Sequence, residues 1–224
     1  MRRQLSRSGD ESAAARRRRG CGRVFRPPDG LDSPAAIQDY LTRLPYDDVK
    51  GTRSPYWVRR ERKANCFEGA LFAAAALRAI GYPPLVMDLY AVNDDDHVIA
   101  VYRKRGKWGA LAKSNTTTLR CREPVYRTLR ELVMSYFDGY FNIFGIKSLR
   151  SYSRPVSLAR FDKVDWMTTD EDLVFIGDFL NSLRHTPIVS PGEARSFRRA
   201  DKDQVKAGFL TSVKNGLYPA RAPK

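Results

Sequence analysis

Cysteine and histidine are scarce in this sequence. It has three cysteines and two histidines among 224 residues, and no two cysteines stand in a CxxC spacing. The odd number and the spacing argue against a disulfide framework and against a zinc-finger pattern. We therefore expect a reducing, cytoplasmic location. The scarcity of histidine also limits a Cys–His mechanism to two candidate bases, His97 and His185.

Long apolar runs and acidic residues are also few. No apolar run is long enough to cross a bilayer, and the apolar core of a secretory signal is missing, so we expect no transmembrane segment. Lysine and arginine number 40 against 25 aspartates and glutamates, which gives a formal net charge of +15. Such a charge favours contact with anionic partners, and it does not by itself define a binding function.

Three regions of the chain differ in composition. Residues 1–26 are arginine-rich, with seven arginines and two acids in the first 22 positions, and lack apolar periodicity, which predicts a disordered basic tail. Residues 27–190 carry the apolar patterns of one folded domain. Residues 191–224 are polar and basic, and we expect them to form a peripheral C-terminal extension.

One helix is strongly indicated. Asn65 is suited to its N-cap, and Glu68 stands three residues later, where its side chain can complete a capping box. Alanine-rich sequence continues to Ile80, and Gly81 is typical of a helix end. The helix is apolar almost all round, which predicts that it is buried. Cys66 lies in its first turn.

An antiparallel meander is predicted after this helix. The apolar pattern changes to a period of two, with strands at residues 85–92, 97–102 and 108–112. Other segments predict flanking elements: helices at 34–44, 124–141 and 168–183, and an edge strand at 153–161. The sequence therefore predicts an α+β fold in which a central buried helix carrying cysteine packs on an antiparallel β-sheet, with additional flanking helices.

Four polar residues are candidates for a catalytic site. Cys66 lies at a helix N-terminus, where the positive end of the helix dipole favours thiolate and backbone N–H groups can form an oxyanion hole. His97 opens a strand 31 residues later, and Ser114 and Asn115 follow the end of the next strand. In an antiparallel meander these strand ends are neighbours. A cysteine nucleophile needs such a base, and the base needs an orienting group.

The stretches "NCFEGALFAAAALRAIGYPP" and "HVIAVYRKRGKWGALAKSN" resemble the core of the transglutaminase-like cysteine fold, bacterial members included. Papain-like peptidases and arylamine N-acetyltransferases belong to the same broad group. In this fold a cysteine opens a central helix that ends in a turn like "IGYP", a histidine opens a strand, and a hairpin like "GKW" follows. The resemblance covers residues 65–115. It implies acyl transfer through a thioester on Cys66, with His97 as base, a peptide or amide substrate, and neither metal nor organic cofactor.

The sequence departs from this pattern at the third catalytic position. Four residues past Trp108, where the family has aspartate, this chain has Ala112. Asn115 is the first choice for orienting His97, because asparagine has this role in papain-like enzymes. Ser114, which has the strand parity of the missing aspartate, is the second choice. Two further alternatives are Asp88 and Asp96.

The other polar candidates have simpler interpretations. The run Asp94–Asp96 predicts a solvated turn, and Cys21 and Cys121 are expected to be plain thiols. His185 is expected to be structural, and Glu68 is expected to act as a cap.

Two functions remain open from the sequence. The first is a cysteine-dependent acyl-transfer enzyme, a hydrolase or an acyltransferase that passes the acyl group to water or to an amine. The second is a catalytically inactive binding module of the same fold, whose basic surface and tail hold an acidic protein or nucleic acid. The retained Cys66 and His97 favour the enzyme, and the missing aspartate favours the binding module.

Overall fold

The computed structural model of the chain describes residues 23–48 and 51–222. Most of the predicted basic tail, including Cys21, lies outside these residues. Within them, no helix is long and apolar enough to span a membrane.

The helices and strands follow one another along the described chain. The α-helices are α1 (Pro34–Arg43), α2 (Pro55–Glu61), α3 (Cys66–Ala79), α4 (Leu129–Phe137), α5 (Val174–Asn181), α6 (Pro191–Ser196) and α7 (Lys202–Gly208). The strands are β1 (Leu85–Ala91), β2 (His97–Lys104), β3 (Lys107–Leu111), β4 (Arg122–Tyr126), β5 (Leu149–Ser153), β6 (Val156–Ser157) and β7 (His185–Pro187). Two 3₁₀ helices span Leu158–Val164 and Lys214–Gly216.

The strands form one antiparallel sheet. Its order is β4-β3-β2-β1-β5-β7, and β6 pairs with β1 beside this path. Helix α3 packs across β2 and β1 on one face, and α4 packs near β3 and β4. The predicted α+β fold, with the cysteine-bearing helix on an antiparallel sheet, is confirmed.

Both faces of the central strands are buried, which explains their nearly continuous apolar sequence. Val86 and Ala100 belong to the core around α3, whereas Met87, Ile99 and Val101 belong to the core around α4. Alternate residues of each strand thus serve opposite cores, as the period of two requires.

Helix α3 begins where its capping signals predict. The Asn65 side chain accepts a hydrogen bond from the Glu68 N–H at 2.9 Å, and the Glu68 carboxylate accepts one from the Asn65 N–H at 3.1 Å. Cys66 is therefore held as the first residue of the helix. Gly81, at a φ of 90°, follows the helix end in the left-handed region.

The helix predicted at 124–141 is wrong in its first part. Residues 122–126 form β4, which pairs with β3 and lies at the edge of the sheet. Pro124 is tolerated there because an edge strand has unpaired N–H positions. The helix begins only at Leu129, after Thr128, whose hydroxyl accepts from the Glu131 N–H at 3.1 Å.

Two other predicted elements are shorter than expected. Helix α5 starts at Val174, and the Asp172 carboxylate accepts the N–H groups of Val174 at 2.8 Å and of Thr52 at 3.1 Å. The acids predicted for a first helical turn thus lie in the loop before it. The edge strand expected at 153–161 is divided between the end of β5, the short β6 and a 3₁₀ helix.

Candidate active site

Three hydrogen-bond donors surround the Cys66 thiol at the N-terminus of α3. They are its own backbone N–H, the N–H of Phe67 and the hydroxyl of Tyr46, and each favours the thiolate. Cys66 is only half-buried by accessible surface, but desolvation by the surrounding groups opposes these donors, Asp95 adds an unfavourable charge, and the pKa of Cys66 is raised to about 11. The helix N-terminus favours the thiolate as expected, but desolvation outweighs the donors in this state.

His97 is the first residue of β2 and is buried. Its Nε2 lies 2.9 Å from the backbone oxygen of Leu119. Because a carbonyl oxygen only accepts, Nε2 carries the proton and Nδ1 is left as the acceptor of a neutral ring. Burial lowers the pKa of His97 to about 4, so the ring is neutral at physiological pH. Thiol and imidazole are both uncharged in this state.

Asn115 does not orient His97, contrary to the expectation. Its side-chain nitrogen donates to the backbone oxygens of Val213 at 3.0 Å and Gly216 at 2.9 Å, and its side-chain oxygen accepts from the Val213 N–H at 2.8 Å. These bonds engage the whole carboxamide. They hold a segment near the C-terminus, residues 212–222, which we call the C-terminal strap.

The alternatives to Asn115 are engaged elsewhere too. The Ser114 hydroxyl accepts from the Thr116 N–H at 3.1 Å, and Asp96 accepts from the Ala91 N–H at 2.7 Å. Asp88 lies 2.9 Å from Nε2 of His185, which gives His185 a structural partner. The group that orients His97 is therefore the Leu119 carbonyl.

One cavity brings the predicted site residues together. Its empty volume is about 510 Å³, which includes the part open to solvent. The residues that line it include Cys66, His97, Ser114 and Asn115. No lysine or arginine occurs among the described residues that line it. The cavity is therefore acidic on balance, in a chain whose net charge is +15.

The run Asp94–Asp96 supplies this acidity. The predicted solvated turn is correct for Asp95, which is exposed, but all three side chains also line the cavity. Although Asp95 is exposed as a residue, partial desolvation of its carboxylate at the cavity and the two neighbouring carboxylates raise its pKa to about 6. None of the three forms a salt bridge within the described part of the chain.

Tyr46 is a site residue that sequence reasoning missed. The chain around it runs beside Ala64, with the Asp47 N–H donating to the Ala64 oxygen at 3.1 Å and the Ala64 N–H donating to the Pro45 oxygen at 3.3 Å. This pairing places the Tyr46 hydroxyl on the thiol of Cys66, two residues further on. The sequence carries no signal for the contact, because residues 45–57 show no helical or strand pattern, and the helix Pro55–Glu61, which begins in this stretch, is not predicted either.

Two contacts fix the chain just after β3, one with α1 and one with α3. The Gln38 side chain binds both the N–H and the carbonyl of Ala112, each at 3.0 Å. Gly69, in α3, leaves room for Lys113, since a Cβ on Gly69 would lie 2.3 Å from the Lys113 Cβ. The Lys113 ammonium in turn donates to the Leu44 carbonyl, just before the segment that carries Tyr46.

Comparison with protein-family models and with curated proteins found no match to this chain. The described residues also contain no cluster of histidine, cysteine and acidic side chains able to hold a metal ion. The interpretation of the site therefore depends on its own geometry.

Proposed function

We propose that this chain is a cysteine-dependent acyl-transfer enzyme of the transglutaminase-like type. The observation that carries the proposal is that Cys66, at a helix N-terminus, and His97, with its Nε2 anchored on a carbonyl, line one cavity. A thiol and a histidine with a free Nδ1 on one cavity are the two groups that acyl transfer through a thioester requires.

The first half of the reaction forms the thioester. Sγ of Cys66 attacks the carbonyl carbon of an amide or ester, and Nδ1 of His97 takes the thiol proton. The new oxyanion accepts from the Tyr46 hydroxyl and the Phe67 N–H, the same donors that now face the sulfur. As the bond to the leaving group breaks, His97 returns the proton to the leaving nitrogen or oxygen.

The second half releases the acyl group. Water or an amine attacks the thioester carbon, gives its proton to His97, and the C–S bond breaks with the sulfur leaving as thiolate. The sulfur then regains the proton from His97. The acidic cavity supports a cationic substrate, since Asp94–Asp96 are unpaired by any described salt bridge and attract an ammonium or guanidinium group.

A small activated ester tests the proposal. Acylation by p-nitrophenyl acetate is followed by mass spectrometry of the Cys66 and Cys121 peptides, in the wild type and in Gly216→Val. The valine displaces the main chain next to Tyr46, because a Cβ at Gly216 would lie 2.8 Å from the Tyr46 ring. We expect a Cys66 thioester that turns over, faster with an added primary amine, and no turnover in Cys66→Ser.

The control variant Cys121→Ser keeps the site and is expected to turn over as its parent does. A Cys66 that stays unacylated in both backgrounds while Cys121 reacts would overturn the proposal. So would an acetyl group on Cys66 that is as long-lived as the one on Cys121.

The binding module is the second candidate, and the net charge of +15 is the observation that favours it. Exposed basic residues form two groups, one at the end of α2 and just after it, the other around the β2–β3 turn. They are Arg59, Arg60, Arg62, Arg103, Lys104, Arg105 and Lys107. Binding of a nucleic acid duplex through them would weaken steeply with salt, at a slope set by the number of phosphates contacted. Binding that is insensitive to salt would argue against this function.

A further inference from the structure

The C-terminal strap lies across the cavity of Cys66. Its residues Gly216, Leu217 and Tyr218 line that cavity together with Cys66. Gly216 also lines a second cavity of about 580 Å³, which Cys66 shares. The strap therefore lies beside Cys66 where two cavities share their lining.

Asn115 holds the first half of the strap by its main chain. Its three side-chain bonds go to backbone groups of Val213 and Gly216, and the Ser212 hydroxyl donates to the Asn115 backbone oxygen at 2.6 Å. The Asn115 side chain thus binds peptide groups of the strap. Ser212 is the strap residue whose side chain takes part in these four bonds.

Asn93 holds the second half in the same way. Its side-chain nitrogen donates to the Arg221 oxygen at 2.9 Å, and its side-chain oxygen accepts from the Arg221 N–H at 2.8 Å. A carboxamide paired with both polar groups of one residue imitates a neighbouring β-strand. Asn115 lines the cavity, and Asn93 directly precedes the cavity-lining run Asp94–Asp96, so the main chain of the strap is held at two points.

The strap approaches the reactive groups closely at Gly216. A Cβ there would lie 2.8 Å from Cε1 of Tyr46 and 3.2 Å from Nδ2 of Asn115. Tyr46 is the residue whose hydroxyl contacts the Cys66 thiol. The main chain of the strap therefore lies against the Tyr46 ring, beside the nucleophile.

The strap is attached without a core of its own. Val213 and Tyr218 are each 37% exposed, and the described residues 219, 221 and 222 are exposed as well. A segment held mainly by a few hydrogen bonds opens at a small fraction of the free energy of global unfolding.

Charge also suits the strap to this groove. From residue 212 to 222 it carries Lys214 and Arg221 and no acid, and the groove presents Asp94–Asp96. Oppositely charged surfaces of this kind favour association and partner choice.

We propose that the C-terminal strap is an intramolecular ligand of a polypeptide-binding groove, and that it covers Cys66 until a basic polypeptide substrate takes its place. The displacement of the strap by a substrate rests on the proposed function. The covering of Cys66 by the strap does not depend on that function. Departure of the strap admits water to Cys66, which removes part of the desolvation that now raises the pKa of the thiol.

The test compares Gly216→Val with Gly192→Ala in the full chain. A Cβ at Gly192 would meet nothing closer than 3.8 Å, so that variant is the matched control. Asn93→Gly is the second test variant: it removes the two bonds to Arg221 and still tolerates the φ of 57° at this position. Either variant suffices if the other fails to fold.

Two rates are measured: alkylation of Cys66 by iodoacetamide, with Cys121 as internal reference, and tryptic cleavage after Lys214 and Arg221. We expect both to rise about tenfold or more in Gly216→Val and Asn93→Gly, in proportion to the lost hydrogen bonds, and not in Gly192→Ala. A synthetic peptide of residues 209–222 should slow the alkylation of the variants back toward the wild-type rate.

Faster cleavage of the strap with unchanged alkylation of Cys66 would overturn the inference, since the strap would then cover something else. Unchanged rates of both kinds would overturn it too, and so would a peptide without effect. Faster alkylation of Cys66 in the variants without thioester turnover would contradict the proposed enzyme function. It would still support the covering of Cys66 by the strap.

Discussion

The backbone oxygen of Leu119 accepts a hydrogen bond from Nε2 of His97 at 2.9 Å. A backbone carbonyl thus takes the orienting position expected for the Asn115 side chain. It fixes the tautomer and the ring orientation without adding a charge. Because this partner is a backbone group, substitution of the Asn115 side chain leaves it in place. The roles of His97 and Asn115 can therefore be tested separately.

Substitution of Asn115 should release the strap and leave His97 in place. We expect Asn115→Leu to increase the rate of Cys66 alkylation, because three hydrogen bonds to the strap are lost and the Leu119 contact remains. An orienting residue would behave in the opposite way, with a loss of His97-dependent reactivity. Alkylation followed by mass spectrometry, with the His97→Gln double variant as comparison, decides between the two.

His97 should make stability depend on pH between about 4 and 6.5. Burial holds its folded pKa near 4, below the usual value of 6.5, so the unfolded chain binds the extra proton in that window. The free energy of unfolding contributed by His97 therefore falls as the pH decreases from 6.5 to 4, by roughly 3 kcal/mol. Urea denaturation at several pH values should give a steeper slope for the wild type than for His97→Gln. Equal slopes would contradict a buried neutral imidazole.

Arg53 should matter far more for stability than Arg78. Arg53 binds the buried Glu68 through Nε at 2.8 Å and through its second terminal nitrogen at 2.9 Å. Arg53→Met leaves this carboxylate without its cation, which we expect to cost about 3 kcal/mol in the free energy of unfolding.

The matched control is Arg78→Met. Arg78 pairs with Asp162 at 2.6 Å, with both side chains about 40% exposed, so the loss should be within about 1 kcal/mol. Chemical denaturation of the two variants gives the comparison. Equal losses would mean that the Glu68 cap is stable without Arg53.

Gly69→Ala should destabilise the protein although it lies in a helix. Alanine normally gains about 1 kcal/mol over a helical glycine, but here its Cβ would lie 2.3 Å from the Cβ of Lys113. We expect a net loss of about 1–3 kcal/mol. Gly192→Ala, in α6, has no such contact and should be neutral or slightly stabilising. A Gly69→Ala variant that is more stable than the wild type would show that Lys113, just after β3, can shift at little cost in free energy.

Local signals account for what the sequence predicts correctly. Asn65, Glu68 and Gly81 define α3 within one stretch, and the period of two defines the meander. From these elements alone, Cys66 and His97 are expected on one site, and they do line one cavity.

Non-local bonds account for what the sequence does not predict. Asn115 binds Val213 and Gly216, which stand 98 and 101 residues away, and no pattern near Asn115 announces them. The contact between His97 and the Leu119 carbonyl has no sequence signal either, since every residue has a backbone carbonyl. The direction of the Cys66 pKa depends on non-local groups for a related reason, since desolvation and Asp95 outweigh the donors at the helix end.

The most direct test of the central claim is the rate at which Cys66 is acylated by p-nitrophenyl acetate between pH 5 and 8. It is measured in Gly216→Val with His97 present and with His97→Gln added. The account predicts a rate at least about 100-fold lower without His97, because the thiol then lacks a general base. Equal rates across this range would contradict the assignment of Cys66 and His97 as nucleophile and base.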